Sequence, residues 1–149
     1  MSTSPLGIGL VSLIVHDYDQ AIRFFVDKLG FELVADEPAV TSHSGKAKRW
    51  VVVRPPTATS TDSGGTNILL AQAEGEQQQA TVGAQWGGRV GLFWHVADFD
   101  STYDKMHAAG VEFVGVPRKE AYGKVVVFKD VSGNKWDLLG PKATQNESL

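Results

Sequence analysis

The sequence predicts an α+β fold made of two βαβββ modules, on three observations. The first is an internal repeat: Asp17-Tyr18-Asp19 and then Gly30-Phe31-Glu32-Leu33-Val34 recur, in the same order, as Asp98-Phe99-Asp100 and Gly110-Val111-Glu112-Phe113-Val114. The second is a shared hydropathy pattern, in which an apolar run, a helical stripe and three further apolar runs follow one another in each copy. The third is the polar and glycine-rich punctuation that frames the copies.

The first module opens with a strand over 9–15. Asp17 then offers a carboxylate oxygen to the free N–H groups of a helix over 18–29, whose apolar stripe is Ala21, Phe24, Phe25 and Leu29. Gly30 ends that helix, and strands over 31–35, 49–54 and 67–72 complete the module. In the second module a strand over 90–96 leads through Asp98 to a helix over 99–109, with Tyr103, Met106 and Ala109 as its stripe. Gly110 closes it, and strands over 111–115, 124–129 and 135–139 follow, the last two joined by a tight turn at Gly133-Asn134. The modules, 7–73 and 89–141, form a single domain over 7–141. A glycine-rich linker without clear period, 74–88, joins them, and a polar tail occupies 142–149.

Composition narrows the function. The chain has 149 residues, no cysteine and a net charge of -3, which excludes disulfides, thiolate metal sites and a cysteine nucleophile. The mild acidity gives no footprint for nucleic acid or an anionic membrane. The apolar runs fall far short of the ~20 residues that span a bilayer. No basic region precedes the first apolar stretch, so a cytoplasmic protein is expected. One helix covers one face of each sheet and leaves the other open, so the mixed sheet is expected to curve around a cup that holds a ligand.

The repeat, the Asp-x-Asp helix starts, the Gly-x-Glu strands and the segment Asp130-Val131-Ser132-Gly133-Asn134-Lys135-Trp136-Asp137-Leu138 together resemble the vicinal oxygen chelate superfamily, over about 7–141. Its members include glyoxalase I, extradiol dioxygenases and bleomycin-resistance proteins. The resemblance implies a homodimer. In its metal-dependent members it implies one divalent ion held by His or Gln on the first strand and Glu on the fourth strand of each module. Laid on this chain, those places fall on Leu10, Gly91, Leu69 or Leu70, and Asp137. Only Asp137 can ligate, so no metal site and no cofactor are expected. A nickel, zinc or iron ion is the alternative.

Strand alternation places Leu10, Ser12 and Ile14 on one concave wall and Gly91, Phe93 and His95 on another, with Asp137 and Leu139 facing them from the last strand. His95 and Asp137 are the candidate catalytic pair, an acid/base near neutral pH and a carboxylate to orient it. A packed, hydrogen-bonded His95 is the competing reading. So is an Asp137 paired with Lys129, Lys135 or Arg54. Phe93, Trp50, Arg54, Gln72 and Tyr122 are candidate ligand-binding residues. The two rings Trp50 and Tyr122 could instead pack in the core, and Arg54 could face solvent. Trp86, a large ring in the linker, is expected to dock somewhere. His16 and His107 are read as surface residues and His43 as part of a loop.

Three functions compete. The first is a metal-free small-molecule binder. The second is a lyase, isomerase or dioxygenase with an atypical site around His95 and Asp137, with Gln72 as a further ligand in a metal form. The third is an interaction module that uses only a dimer surface.

Overall fold

A computed structural model describes residues 7–39, 47–56 and 65–141. The chain divides into two compact units, Met1–Gln79 and Ala80–Leu149. His43 lies outside the described residues.

The first unit contains β1 (Leu10–Val15), α1 (Tyr18–Ile22), β2 (Glu32–Ala39), β3 (Lys48–Arg54), β4 (Asn67–Gln72) and most of α2 (Gly75–Thr81). Its strands form one mixed sheet in the order β1-β4-β3-β2, with β1 parallel to β4 and the other pairs antiparallel. The Asp17 carboxylate accepts the Gln20 backbone N–H at 2.8 Å and so starts α1. The helix expected to reach residue 29 changes character after Ile22. Residues Arg23–Lys28 form a π-helical stretch, in which the Leu29 N–H reaches the Phe24 carbonyl five residues back. The chain turns less per residue there, and both adjacent rings enter the core, Phe25 fully and Phe24 nearly so. Alternation along the strands separates the faces. Leu13, Val15, Ile68, Leu70, Val51 and Val53 are buried, while Ser12 and Trp50 lie exposed.

The second unit repeats the plan with β5 (Val90–His95), α3 (Phe99–Ala108), β6 (Glu112–Glu120), β7 (Gly123–Lys129) and β8 (Lys135–Leu139), in the order β5-β8-β7-β6. Asp98 caps α3 through the Ser101 N–H at 3.0 Å. A ladder of rings, Tyr103 on Phe113, Phe113 on Phe128 and Phe128 on Trp136, joins α3 to the sheet. The β7–β8 turn hangs on one buried carboxylate. Asp130 accepts hydrogen bonds from the backbone N–H groups of Ser132 and Asn134, from the Asn134 side chain and from the Trp136 indole. Gly133, at φ +96°, supplies the left-handed step of that turn.

Two further expectations need correction. Strands β2 and β6 run to Ala39 and Glu120, well past the expected ends at 35 and 115, because Pro38 and Pro117 are tolerated on edge strands. The segment 74–88 is not a featureless linker, since it holds α2. That helix buries no residue, so no apolar stripe announces it. Its glutamines secure it instead. The Glu74 N–H donates to Gln78 Oε1 at 2.9 Å, Gln79 Nε2 donates to the Ala73 carbonyl at 3.1 Å, and Gln79 Oε1 lies 3.0 Å from His16 Nδ1.

Candidate functional site

The candidate site is built within the second unit, on the face of its sheet opposite α3. Phe93 lies beside Asp137 in the parallel β5–β8 register, and His95 lies beside Leu139. Across β8, Val127 is the register partner of Asp137, and Val114 is the partner of Val127. A single carboxylate is therefore set among apolar side chains. Two of these stand well out of the sheet, Phe93 at 57% exposure and Val114 at 42%.

Asp137 is the anomaly of this face. Its Oδ1 is sealed from solvent and accepts no hydrogen bond among the described residues. Burial pushes its carboxyl above the ordinary carboxylate range, against the opposing pull of Arg118. The expected ion-pair partners are engaged elsewhere or do not reach it. Arg54 Nε bonds Glu32 Oε2 at 2.6 Å in the first unit, and Lys129 Nζ lies 3.4 Å from Glu112. Lys135, two residues earlier on β8, makes no ion pair with it among the described residues. Arg118, the cation that Asp137 does feel, gives its Nε to Glu120 at 2.7 Å. The contrast with Asp130 is instructive, since that carboxylate is also buried but all of its bonds are made.

The other sequence-predicted residues fall in different places. His95 is exposed on β5 and forms no hydrogen bond with Asp137. Tyr122 lies between β6 and β7 and is 55% exposed, so the core-packing alternative does not apply to it. Trp50, 43% exposed, and Arg54 sit on β3 in the first unit. Arg54 faces its cross-strand partner Glu32, which accepts a hydrogen bond from its Nε. Gln72 is committed as well, because its Oε1 accepts the Tyr18 backbone N–H at 3.3 Å at the start of α1. The structure thus brings together Phe93, His95 and Asp137 on one sheet, with Tyr122 at the turn between β6 and β7, and leaves Trp50, Arg54 and Gln72 on the other unit.

Trp86 docks on Gly91. A side-chain carbon built on Gly91 would overlap the six-membered part of the indole, so the ring fills the space that a residue at position 91 would take. The segment leading to it is held in the same way: Gly83, at φ +78°, lies so close to the Ser132 carbonyl that only glycine fits. The glycine at 91 and the lone tryptophan between modules were both visible in the sequence, but nothing there linked them.

Residues 7–138 match the sequence model of the Glyoxalase/Bleomycin resistance protein/Dioxygenase superfamily. The chain belongs to this superfamily. An uncharacterized protein of Shewanella frigidimarina is 45% identical over 129 residues, covering 87% of this chain and 89% of its own. YetH of Bacillus subtilis is 31% identical, covering 85% and 92%. Among solved structures, UcmS2 is similar at a TM-score of 0.72 and 27% identity, covering 91% of this chain and 98% of its own. TnmS3, an antibiotic binding protein from Streptomyces sp. CB03234, is similar at 0.69 and 26%, covering 95% and 100%.

The divalent ion of the superfamily's metal-dependent members does not fit the residues present. The side chains of Leu10, Leu69 and Leu70 carry no ligating atoms, and the place at Gly91 is occupied by an indole. Among the described residues no group of three or more His, Asp or Glu side chains is placed to hold a metal ion. Among the same residues no helix is long and apolar enough to cross a membrane.

Proposed function

We propose that this protein binds a small organic molecule, without a metal ion, on the open face of its second sheet. The observation that carries the reading is the pairing of Phe93 with Asp137. A large ring is left exposed directly beside a carboxylate whose sealed oxygen has no partner. Apolar area with one unmet polar group is the usual make-up of a small-molecule site. The similarity to an antibiotic binding protein supports a binding role. The chain is proposed to work as a cytoplasmic homodimer. The edge strands β1 and β5 carry neither proline nor a charged Asp, Glu, Lys or Arg to discourage pairing, whereas the edges β2 and β6 carry Pro38 and Pro117.

A thermal-shift screen of aromatic antibiotics, catechols and α-keto hemithioacetals tests the reading. A hit is expected to lose its stabilising effect in Phe93→Ala. Hits that stabilise wild type and Phe93→Ala equally would remove this face from the site. Titration with nickel, zinc and ferrous iron tests the metal-free part, and stoichiometric micromolar binding would overturn it. The enzymatic reading, with His95 as a proton acceptor, ranks second, because the His95 ring donates no hydrogen bond to Asp137 that would fix it. Turnover of a screened ligand that is lost in His95→Ala would promote it.

A further inference from the structure

The same face also points to the chemistry of its occupant, an inference that rests on the binding role above. Among the described residues no cationic side chain forms an ion pair with Asp137. Arg118 is bonded to Glu120, and Lys129 is paired with Glu112. His95 is two residues from Phe93 on β5 and opposite Leu139, and Lys135 is opposite Val90. A carboxylate of this kind is best completed by a charge-assisted hydrogen bond from a cationic donor, while an anion placed there meets like charge. The ring surfaces lie along the adjacent strand. Phe93 stands beside Asp137, and the indole of Trp86 fills position 91, at the irregularity between Val90 and Leu92 where the β5–β8 register shifts. That position is where the superfamily's metal-dependent members are expected to present a metal-ligating side chain. Here an aromatic ring brought in from the preceding segment takes its volume.

We infer that the ligand is a flat aromatic cation, with an ammonium or amidinium group bonded to Asp137 and its ring laid along Phe93 and Trp86. The feature that directs this assignment is the combination of a carboxylate oxygen with no hydrogen-bond partner among the described residues, the exposed Phe93 ring on the neighbouring strand, and the Trp86 indole docked at position 91. Trp86 then acts as a specificity-determining residue, since it supplies apolar surface where a metal donor would otherwise project. Cations stack on aromatic faces with additional gain when they are desolvated.

The test compares two ring-matched probes, 9-aminoacridine and acridine-9-carboxylate, by calorimetry with the full chain near neutral pH. The amine is expected to bind at least about tenfold more tightly, roughly the worth of one charge-assisted contact. Asp137→Asn should remove most of that preference, while Phe93→Ala and Trp86→Ala should weaken both probes in parallel. Trp86→Phe, which keeps a ring, should retain more affinity than Trp86→Ala, and circular dichroism of each variant checks that the fold is kept. Equal binding of the two probes, or a preference that survives Asp137→Asn, would overturn the assignment of a cation. If both probes still lose affinity in Phe93→Ala, the binding face itself stands. Binding of both probes that is indifferent to Phe93→Ala, or no binding at all, would overturn the face and the cation together. Undiminished binding by Trp86→Ala would overturn the role given to the indole.

Discussion

Replacing Asp130 with alanine should destabilise the second unit by about 3 kcal/mol. The carboxylate receives four hydrogen bonds, from Ser132 N at 2.9 Å, Asn134 N at 3.0 Å, Asn134 Nδ2 at 3.3 Å and Trp136 Nε1 at 3.0 Å. Bonds to a charged acceptor contribute roughly 1.5–3 kcal/mol each. Part of that sum offsets the cost of burying the charge, because desolvation is the larger influence on this group and raises its pKa in spite of the four donors. Truncation also strands donors that are buried, so the loss exceeds that of a surface exchange. Asp130→Asn should cost less, about 2 kcal/mol, since an amide keeps one accepting oxygen but turns its NH₂ toward other donors. The assay is urea unfolding followed by tryptophan fluorescence. At a slope of about 2 kcal/mol per molar, the Ala variant should unfold about 1.5 M earlier. A midpoint within about 0.3 M of wild type at unchanged slope would refute the claim that this carboxylate holds the turn.

Three further outcomes follow from the same structure. Because burial raises the Asp137 carboxyl above its ordinary value of 3.8, the stability linked to its proton is full below that pH and is lost as pH rises through the raised value. Asp137→Asn should therefore melt higher than wild type near neutral pH and lose that advantage near pH 3.5, as read by thermal unfolding across pH. Arg49→Ala should cost about 1–2 kcal/mol in urea titration, because Arg49 holds Asp36 through two hydrogen bonds, pairs with Asp19 at 3.0 Å and lies 5.1 Å from the centre of the Tyr18 ring. Its hydrogen bonds hold the Asp36 carboxyl below the ordinary range, so this contribution is present above about pH 3.8 and declines as pH falls through the lowered value. Gly91→Ala should lower the melting temperature by overpacking against Trp86, at about 1–3 kcal/mol, and Trp86→Ala in the same chain should relieve it. If Gly91→Ala is neutral, the indole does not occupy that space.

The features legible in the sequence were those carried by local periodicity. Alternation in Leu10–Val15 separates the buried Leu13 and Val15 from the exposed Ser12. The two aspartates at the helix starts do cap them, because a side chain and an N–H three residues apart meet wherever a helix begins. The π-helical stretch is not legible in the sequence, because its stripe of Ala21, Phe24, Phe25 and Leu29 satisfies an α-helical period equally well. The helix Gly75–Thr81 is not legible either, because it has no apolar face, and its hydrogen bonds reach back to Ala73 and His16. For the candidate site, the face of the strand was readable but the company of each group was not. Arg54 and Gln72 have polar ends that could serve a ligand, and both are spent on Glu32 and Tyr18.

By itself the sequence determined the two repeated modules, their strands and caps, and the absence of donor side chains at Leu10 and Gly91, since each of these is a matter of residue identity and short-range spacing. Only the tertiary structure decided which charges are satisfied. Cross-strand register sets Glu32 against Arg54, Glu112 against Lys129 and Phe93 against Asp137, pairings between residues far apart along the chain. A charge is neutralised by what lies within a few ångströms of it in space, and a ring docks where a missing side chain leaves room. For that reason the unpaired Asp137 and the Trp86 that fills position 91 emerge only when the strands are laid side by side.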